Sequence, residues 1–388
     1  MNVYHFLGLI MHQPEGNLLD LLNNSTKQHE AKQILLAYQR PLDYAERYPD
    51  EARFCVCFSG VLLEQLQDPE LIDRCRTFIN IPKMLERYAA APNIELAGTG
   101  YYHPLFPLIP QEDWDDHILR GRDKVAEVFG RTPLIFWPPE LGLSRYMIPA
   151  IVKAGYRQVL CEGLHVRPEQ QELEQDEIYY HTFLAKQSGA QIELIPRCAF
   201  FSNAQQGGTN SDWFCAEVEK MTSNFQCLVL VTTLTDGENG GWFRVEDELQ
   251  QFWGRFFEPY MEKVKANTAG LRPTSLADFL NQHPPKLNAD VVTGTWEYDP
   301  SKPYETIFEN WAKTKEQQAM KEEIYEISKE VNMRLKANPP SERVYQLNIA
   351  RDQILRAEAS DNFYFHNGWL WKSRNALERA RELLTNTP

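Results

Sequence analysis

The sequence predicts an α/β protein built on a parallel sheet, a (β/α) barrel or a close relative, followed by a helical bundle. Three observations carry that reading. Short apolar runs alternate with helical patterns through roughly the first 285 residues, which implies βαβ units. The runs are almost continuously apolar, as in strands covered on both faces. Near residue 283 the character changes, and "HPPKLNAD" opens a charged, helical C-terminal stretch. An open doubly wound sheet is the rival architecture.

The elements follow in chain order. "NVYHFLGLIM" reads as a strand, as does "RFCVCFSG", which runs straight into the helical "VLLEQLQDPELIDRCRTFI". "NIELAGTG" is a third strand. The amphipathic "WDDHILRGRDKVAEVFG" leads to a fourth, "PLIFWPP". "RQVLCEG" follows the helix "SRYMIPAIVKAGY". "IELIPRCAFF" and "CLVLVTTLTDGENGG" complete the set, with the helical "SDWFCAEVEKMT" between them. About seven units fit before the linker. The predicted division is therefore 1–285 for the sheet domain and 286–388 for the helical one. In the latter, helices are expected at about 303–337, 341–358 and 367–385, with Ser341 as an N-cap after "ANPP".

Composition narrows the function. The net charge of −14 repels phosphate backbones and anionic lipid, so no nucleic acid and no membrane partner is expected. No run approaches the ~20 apolar residues of a membrane span. The N-terminus lacks the basic and small-residue features of a signal peptide. Seven cysteines, an odd number set mostly in apolar runs, read as buried reduced thiols and fit the cytoplasm. "CVC" is not a zinc spacing. Tryptophan is normally rare, and nine of them suggest binding faces as well as core packing.

In parallel α/β folds the reactive groups gather at the carboxyl ends of the strands. There the sequence places His12, Gln13 and Glu15 after the first strand and His103 after the third. Trp137 and Glu140 follow the fourth, and Arg197 ends a later one. Asp236 and Glu238 close the last, with Trp242 beyond them and Trp296 in "GTWE". Singly, each has an ordinary reading. Glu140 behind two prolines is also a turn residue, "DGENGG" is also a polar loop, and Trp296 is also an interface residue. Together, two strand-end carboxylates flanked by histidines and tryptophans suit glycoside chemistry. One carboxyl group would serve as nucleophile and the other as acid/base, with aromatic faces for sugar rings.

These motifs, in this order, resemble those of glycoside hydrolase family 57. "HQP" (His12–Gln13–Pro14), "GTGYYHP", "WPPELG" and "DGENGG" match its successive motifs, and "ASDNFYFHNGWLWKSR" looks like its late S-D-aromatic stretch. The resemblance runs from about residue 1 to 380. It implies a distorted (β/α)7 barrel with a C-terminal helical bundle. It further implies retaining attack on an α-glucan or maltooligosaccharide, with Glu140 as nucleophile, Asp236 as acid/base, and no metal or other cofactor. Under it, Trp137 and Trp242 are stacking candidates, Glu238 orients the acid loop or contacts sugar, and Arg197 holds a carboxylate ionised. "DGENGG" departs from the family in having Asn-Gly where a bulky residue often precedes the glycine. "WPPE" and the short chain favour an α-amylase-like hydrolase over a 4-α-glucanotransferase or branching enzyme. Two other classes compete. One is a metal-dependent deacetylase or mannosidase, whose His/Asp cluster near the first strand is missing. The other is a non-catalytic glucan-binding relative.

Overall fold

A computed structural model describes residues 3–169, 173, 176–225, 227–240, 252–364 and 368–385. Its centre is a ring of seven parallel strands: β1 (Val3–Met11), β2 (Phe54–Phe58), β3 (Ile94–Gly98), β4 (Ile135–Phe136), β5 (Gln158–Glu162), β8 (Ala190–Arg197) and β9 (Val229–Asp236). Each pairs in parallel with the next, from β1 through β5 to β8, and β9 pairs in parallel with β1. The seam between β8 and β9 is held more sparsely. The Cys198 N–H donates to the Thr232 carbonyl (2.8 Å) and the Arg197 side chain to the Leu234 carbonyl (3.0 Å). The result is a distorted seven-stranded barrel, and its strands are the seven apolar runs of the sequence.

Side-chain alternation explains why the runs are apolar throughout. On β1, Phe6 and Ile10 point into the barrel, where they meet Cys55, Cys57, Ile135, Trp137, Leu160, Ile195, Leu230 and Leu234. Leu7, Leu9 and Met11 point outward, onto helices such as Gln28–Arg47. Both faces are thus buried. Gly8 belongs to the inward set. A Cβ there would lie 2.6 Å from Leu234 and 2.8 Å from Trp137, so only glycine lets those side chains meet. The same parity carries His12, Glu162, Arg197 and Asp236 to the carboxyl-end mouth of the barrel.

Four short strands decorate the ring: β6 (Val166–Pro168), β7 (Phe183–Gln187), β10 (Arg272–Pro273) and β11 (Leu287–Val291). β7 runs antiparallel to β8, β11 parallel to β7, and β6 antiparallel to β11. The sheet therefore continues past residue 285. Among the described residues, the long C-terminal helices are Lys315–Lys336, Ser341–Ala357 and Leu370–Thr385. Thr314 and Gln317 form a capping box for the first. Pro340, not Ser341, occupies the N-cap of the second, because its fixed φ suits the entry and Ser341 is already the first helical residue. These helices bury Ile324, Ile327, Val331, Leu347, Ile354 and Leu377 against one another and against Leu105 of the barrel. Among the described residues, no helix is long and apolar enough to cross a membrane.

Candidate active site

The mouth of the barrel gathers the loops after β1, β3, β4 and β9. Asp236 is the last residue of β9 and lies in register with Ile10 of β1, so the ladder fixes its backbone. Burial first, then the charge of Glu297, pushes its carboxyl up to about 6, while Arg197 and His12 oppose the rise. Glu140 sits in the turn after β4 with its side chain 18% exposed. Burial and then the Asp236 and Asp361 charges hold its carboxyl well above the usual carboxylate range; the indole N–H of Trp296, on Oε2 at 2.9 Å, lowers it. The two expected catalytic carboxylates therefore share one mouth.

His12 and His103 stack face to face, with ring centres 3.8 Å apart. His12 Nε2 donates to Asp361 Oδ2 (2.8 Å), and its Nδ1 meets Ser59 Oγ (2.8 Å), the N-cap of helix Gly60–Leu66. Burial would raise the Asp361 carboxyl, but the charge and hydrogen bond of His12 hold it below its ordinary value. His103, at φ 57°, is buried. Its Nδ1 lies 3.3 Å from Ser360 Oγ and 3.9 Å from Glu140 Oε1. Among the described residues its Nε2 has no hydrogen-bond partner. Burial, then neighbouring His12, keeps this imidazole neutral by lowering its pKa well below 6.5.

The donor atoms of His12, His103 and Asp361 all lie within 4.8 Å of one another. In this structure hydrogen bonds join the group, with His12 Nε2 on Asp361 and Ser360 Oγ beside His103 Nδ1.

The remaining expected residues divide. Arg197 is buried and donates to Glu162 (2.8 Å), Asn203 (2.8 Å) and the Leu234 carbonyl, and its guanidinium lies 5.5 Å from the Trp296 ring. Glu238 is buried, accepting from Gln13 (3.0 Å) and Tyr38. Burial and then the Asp236 charge push it up to about 7. Glu238 thus ties the loop after β9 to the loop after β1 through Gln13 and to helix Gln28–Arg47 through Tyr38. Glu15 is exposed and paired with Arg356, in a cleft of about 480 Å³ that borders His12 and Asp361. The stacking role expected for Trp137 is corrected. Its side chain is fully buried in the barrel against Gly8, because inward parity sends it below the mouth, and it offers no face to a ligand. Trp242 lies outside the described residues.

Asp361, Ser59, Tyr38 and Glu297 were not singled out by the sequence. Asp361 lies 349 residues from His12, its hydrogen-bond partner, and Glu297 lies 61 residues from Asp236, whose carboxyl it raises. Only the "ASDNFYF" stretch carried a signal for the first.

Comparison with known proteins agrees with this geometry. The family model "Glycosyl hydrolase family 57" matches residues 15–291. "Alpha-amylase 1" of Dictyoglomus thermophilum is 23% identical over 348 residues, covering 87% of this chain and 45% of the relative. The chain thus spans about half the length of that curated relative. Among solved structures, a 4-alpha-glucanotransferase from Thermococcus litoralis superposes with a TM-score of 0.71 at 17% identity, over 100% of this chain and 60% of that one. A GH57 branching enzyme from Thermococcus kodakaraensis gives 0.72 at 13%, over 99% and 90%. These likenesses establish the shared fold. With the family match over most of the barrel and the strand-end carboxylates in one mouth, the chain belongs to glycosyl hydrolase family 57.

Proposed function

We propose that the protein is a retaining, α-glucan-active glycoside hydrolase of α-amylase type, with Glu140 as nucleophile and Asp236 as acid/base. The observation that carries this is that these two carboxyl groups, one in the turn after β4 and one at the end of β9, both sit at the carboxyl-end mouth of the barrel, where the Asp236 charge acts on Glu140. Glu140 would attack the anomeric carbon as the glycosidic bond breaks. The bonding pair leaves with the glycosidic oxygen, which takes the proton from Asp236. Asp236 would then deprotonate water, whose oxygen displaces Glu140 and returns the enzyme to its starting state.

Burial and neighbouring charges raise both Glu140 and Asp236, whereas the reaction needs Glu140 ionised. Two effects favour the ionised form of Glu140. The indole N–H on Oε2 favours the Glu140 anion. Positive charge developing on the anomeric carbon favours it further. His12 and His103 are proposed to hydrogen-bond sugar hydroxyls, and Trp242 to offer a ring face to the sugar.

The relatives include a glucanotransferase and a branching enzyme, so transfer to a sugar acceptor is the second reading. The proposal includes a cytoplasmic setting, supported by seven cysteines that are all free. It also includes a two-part division expected at 285/286. Because β11 pairs into the sheet, we place that boundary after Val291.

Product analysis on maltoheptaose tests the assignment. Wild type is expected to release shorter maltooligosaccharides, with Glu140→Gln and Asp236→Asn each slower by about 10³-fold or more. Longer products would shift it to transfer, and no turnover would leave a glucan-binding protein.

A further inference from the structure

Glu140 occupies a backbone conformation that needs outside support. Its φ is 56° and that of Leu141 is 47°, a left-handed region that side-chain-bearing residues rarely adopt. The preceding Pro138 and Pro139 stiffen the approach but have no N–H with which to tie it down. The support comes from residues 294–296, just beyond β11. Gly294 and Leu143 exchange both backbone hydrogen bonds (3.0 and 3.1 Å). The Glu140 carbonyl accepts from Thr295 Oγ1 (2.7 Å) and from the Trp296 N–H (3.1 Å). The Trp296 indole N–H then donates to Glu140 Oε2 (2.9 Å).

The holder is itself held. His165 Nε2 lies 3.1 Å from the Thr295 carbonyl oxygen. A Cβ at Gly294 would fall 2.2 Å from the His165 ring, so the segment is seated against that imidazole with no room to spare. The Trp296 ring rests near the guanidinium of Arg197, which Glu162 and the Leu234 carbonyl fix in place.

We propose that Trp296 is a positioning residue for Glu140: it fixes Oε2, leaves Oε1 as the attacking oxygen, and is not a sugar-stacking platform. The proposal rests on the reading of Glu140 as nucleophile. A carboxylate with one oxygen pinned by an N–H and its backbone pinned by two further donors is preorganised for attack by the other oxygen. Oε1 is the oxygen that lies on the His103 side. The charged and titratable groups that bear on Glu140 among the described residues are Asp236, Asp361, Glu297, His103 and Tyr364. Removing the indole N–H leaves all five in place.

The test is Trp296→Phe, which keeps a ring and removes the donor. Steady-state kinetics on maltoheptaose would be paired with an infrared titration of the Glu140 carboxyl, assigned by difference from Glu140→Gln. The expected result is a kcat lower by about 10- to 100-fold with KM within about threefold, together with a Glu140 carboxyl that ionises at higher pH. A raised KM with unchanged kcat would overturn the proposal and make Trp296 a sugar platform. An unchanged Glu140 titration would overturn it too. Should wild type turn over no glucan, the nucleophile assignment falls, and the infrared titration alone decides whether Trp296 holds the carboxyl group. Should Trp296→Phe not fold, Thr295→Val removes one donor from the Glu140 carbonyl. A lower kcat at constant KM then supports the holder, and wild-type kinetics contradict it.

Discussion

The chemistry at the residue scale is a competition over one proton. Burial raises both Glu140 and Asp236, and neighbouring carboxylates raise them further. A raised pKa keeps a carboxyl group protonated to higher pH, and a doubly protonated pair has no nucleophile. Asp236 must still hold its proton to deliver it to the leaving oxygen, so the alkaline limb of kcat/KM is expected near pH 6, where Asp236 titrates, rather than near ~4 as for an unperturbed carboxylate. Glu297 contributes to that rise, so Glu297→Gln is expected to move the limb to lower pH. A pH–rate series on both proteins checks this; a limb that stays in place would remove Glu297 from the account.

At the scale of elements, the site is made by loops that the strands aim. Parity along β1, β5, β8 and β9 projects His12, Glu162, Arg197 and Asp236 into the mouth, while Glu140 depends on a second segment beyond β11. Gly294→Ala places a methyl group into His165. It is expected to destabilise the fold by about 1–3 kcal/mol and to lower kcat more than it raises KM, as read by thermal melts and kinetics. Much of this scale was legible in the sequence. All seven barrel strands stand where continuous apolar runs stood, and the motif residues of four loops meet at one rim. β6, β7, β10 and β11 were not legible, since two to five residues on a sheet flank leave little periodicity. Nor was the burial of Trp137. A tryptophan beside a candidate nucleophile looks like a platform until strand parity shows that it points into the barrel.

At the scale of the whole molecule, the helical region completes the mouth. Ser360 and Asp361 reach the paired histidines, and the Ser360 N–H binds the His103 carbonyl (3.0 Å). His117, on barrel helix Gln111–Phe129, meets Glu358 at 2.8 Å in a fully buried contact. Burial lowers the imidazole and raises the carboxyl group, which favours the neutral form of each partner. The catalytic barrel is therefore expected to need its C-terminal helices for activity as well as for stability. Asp361→Asn keeps the shape but weakens the hold on His12. It is expected to lower kcat by about 10-fold or more with a nearly unchanged melting temperature. A wild-type kcat would mean that the helical region only supports the barrel. The central claim, that Glu140 and Asp236 carry out a double displacement on an α-glucan, is tested most directly by following the anomeric proton signals of maltoheptaose products by NMR from the first turnovers. The account predicts that the α-anomer appears first and mutarotates later; first appearance of the β-anomer would contradict it.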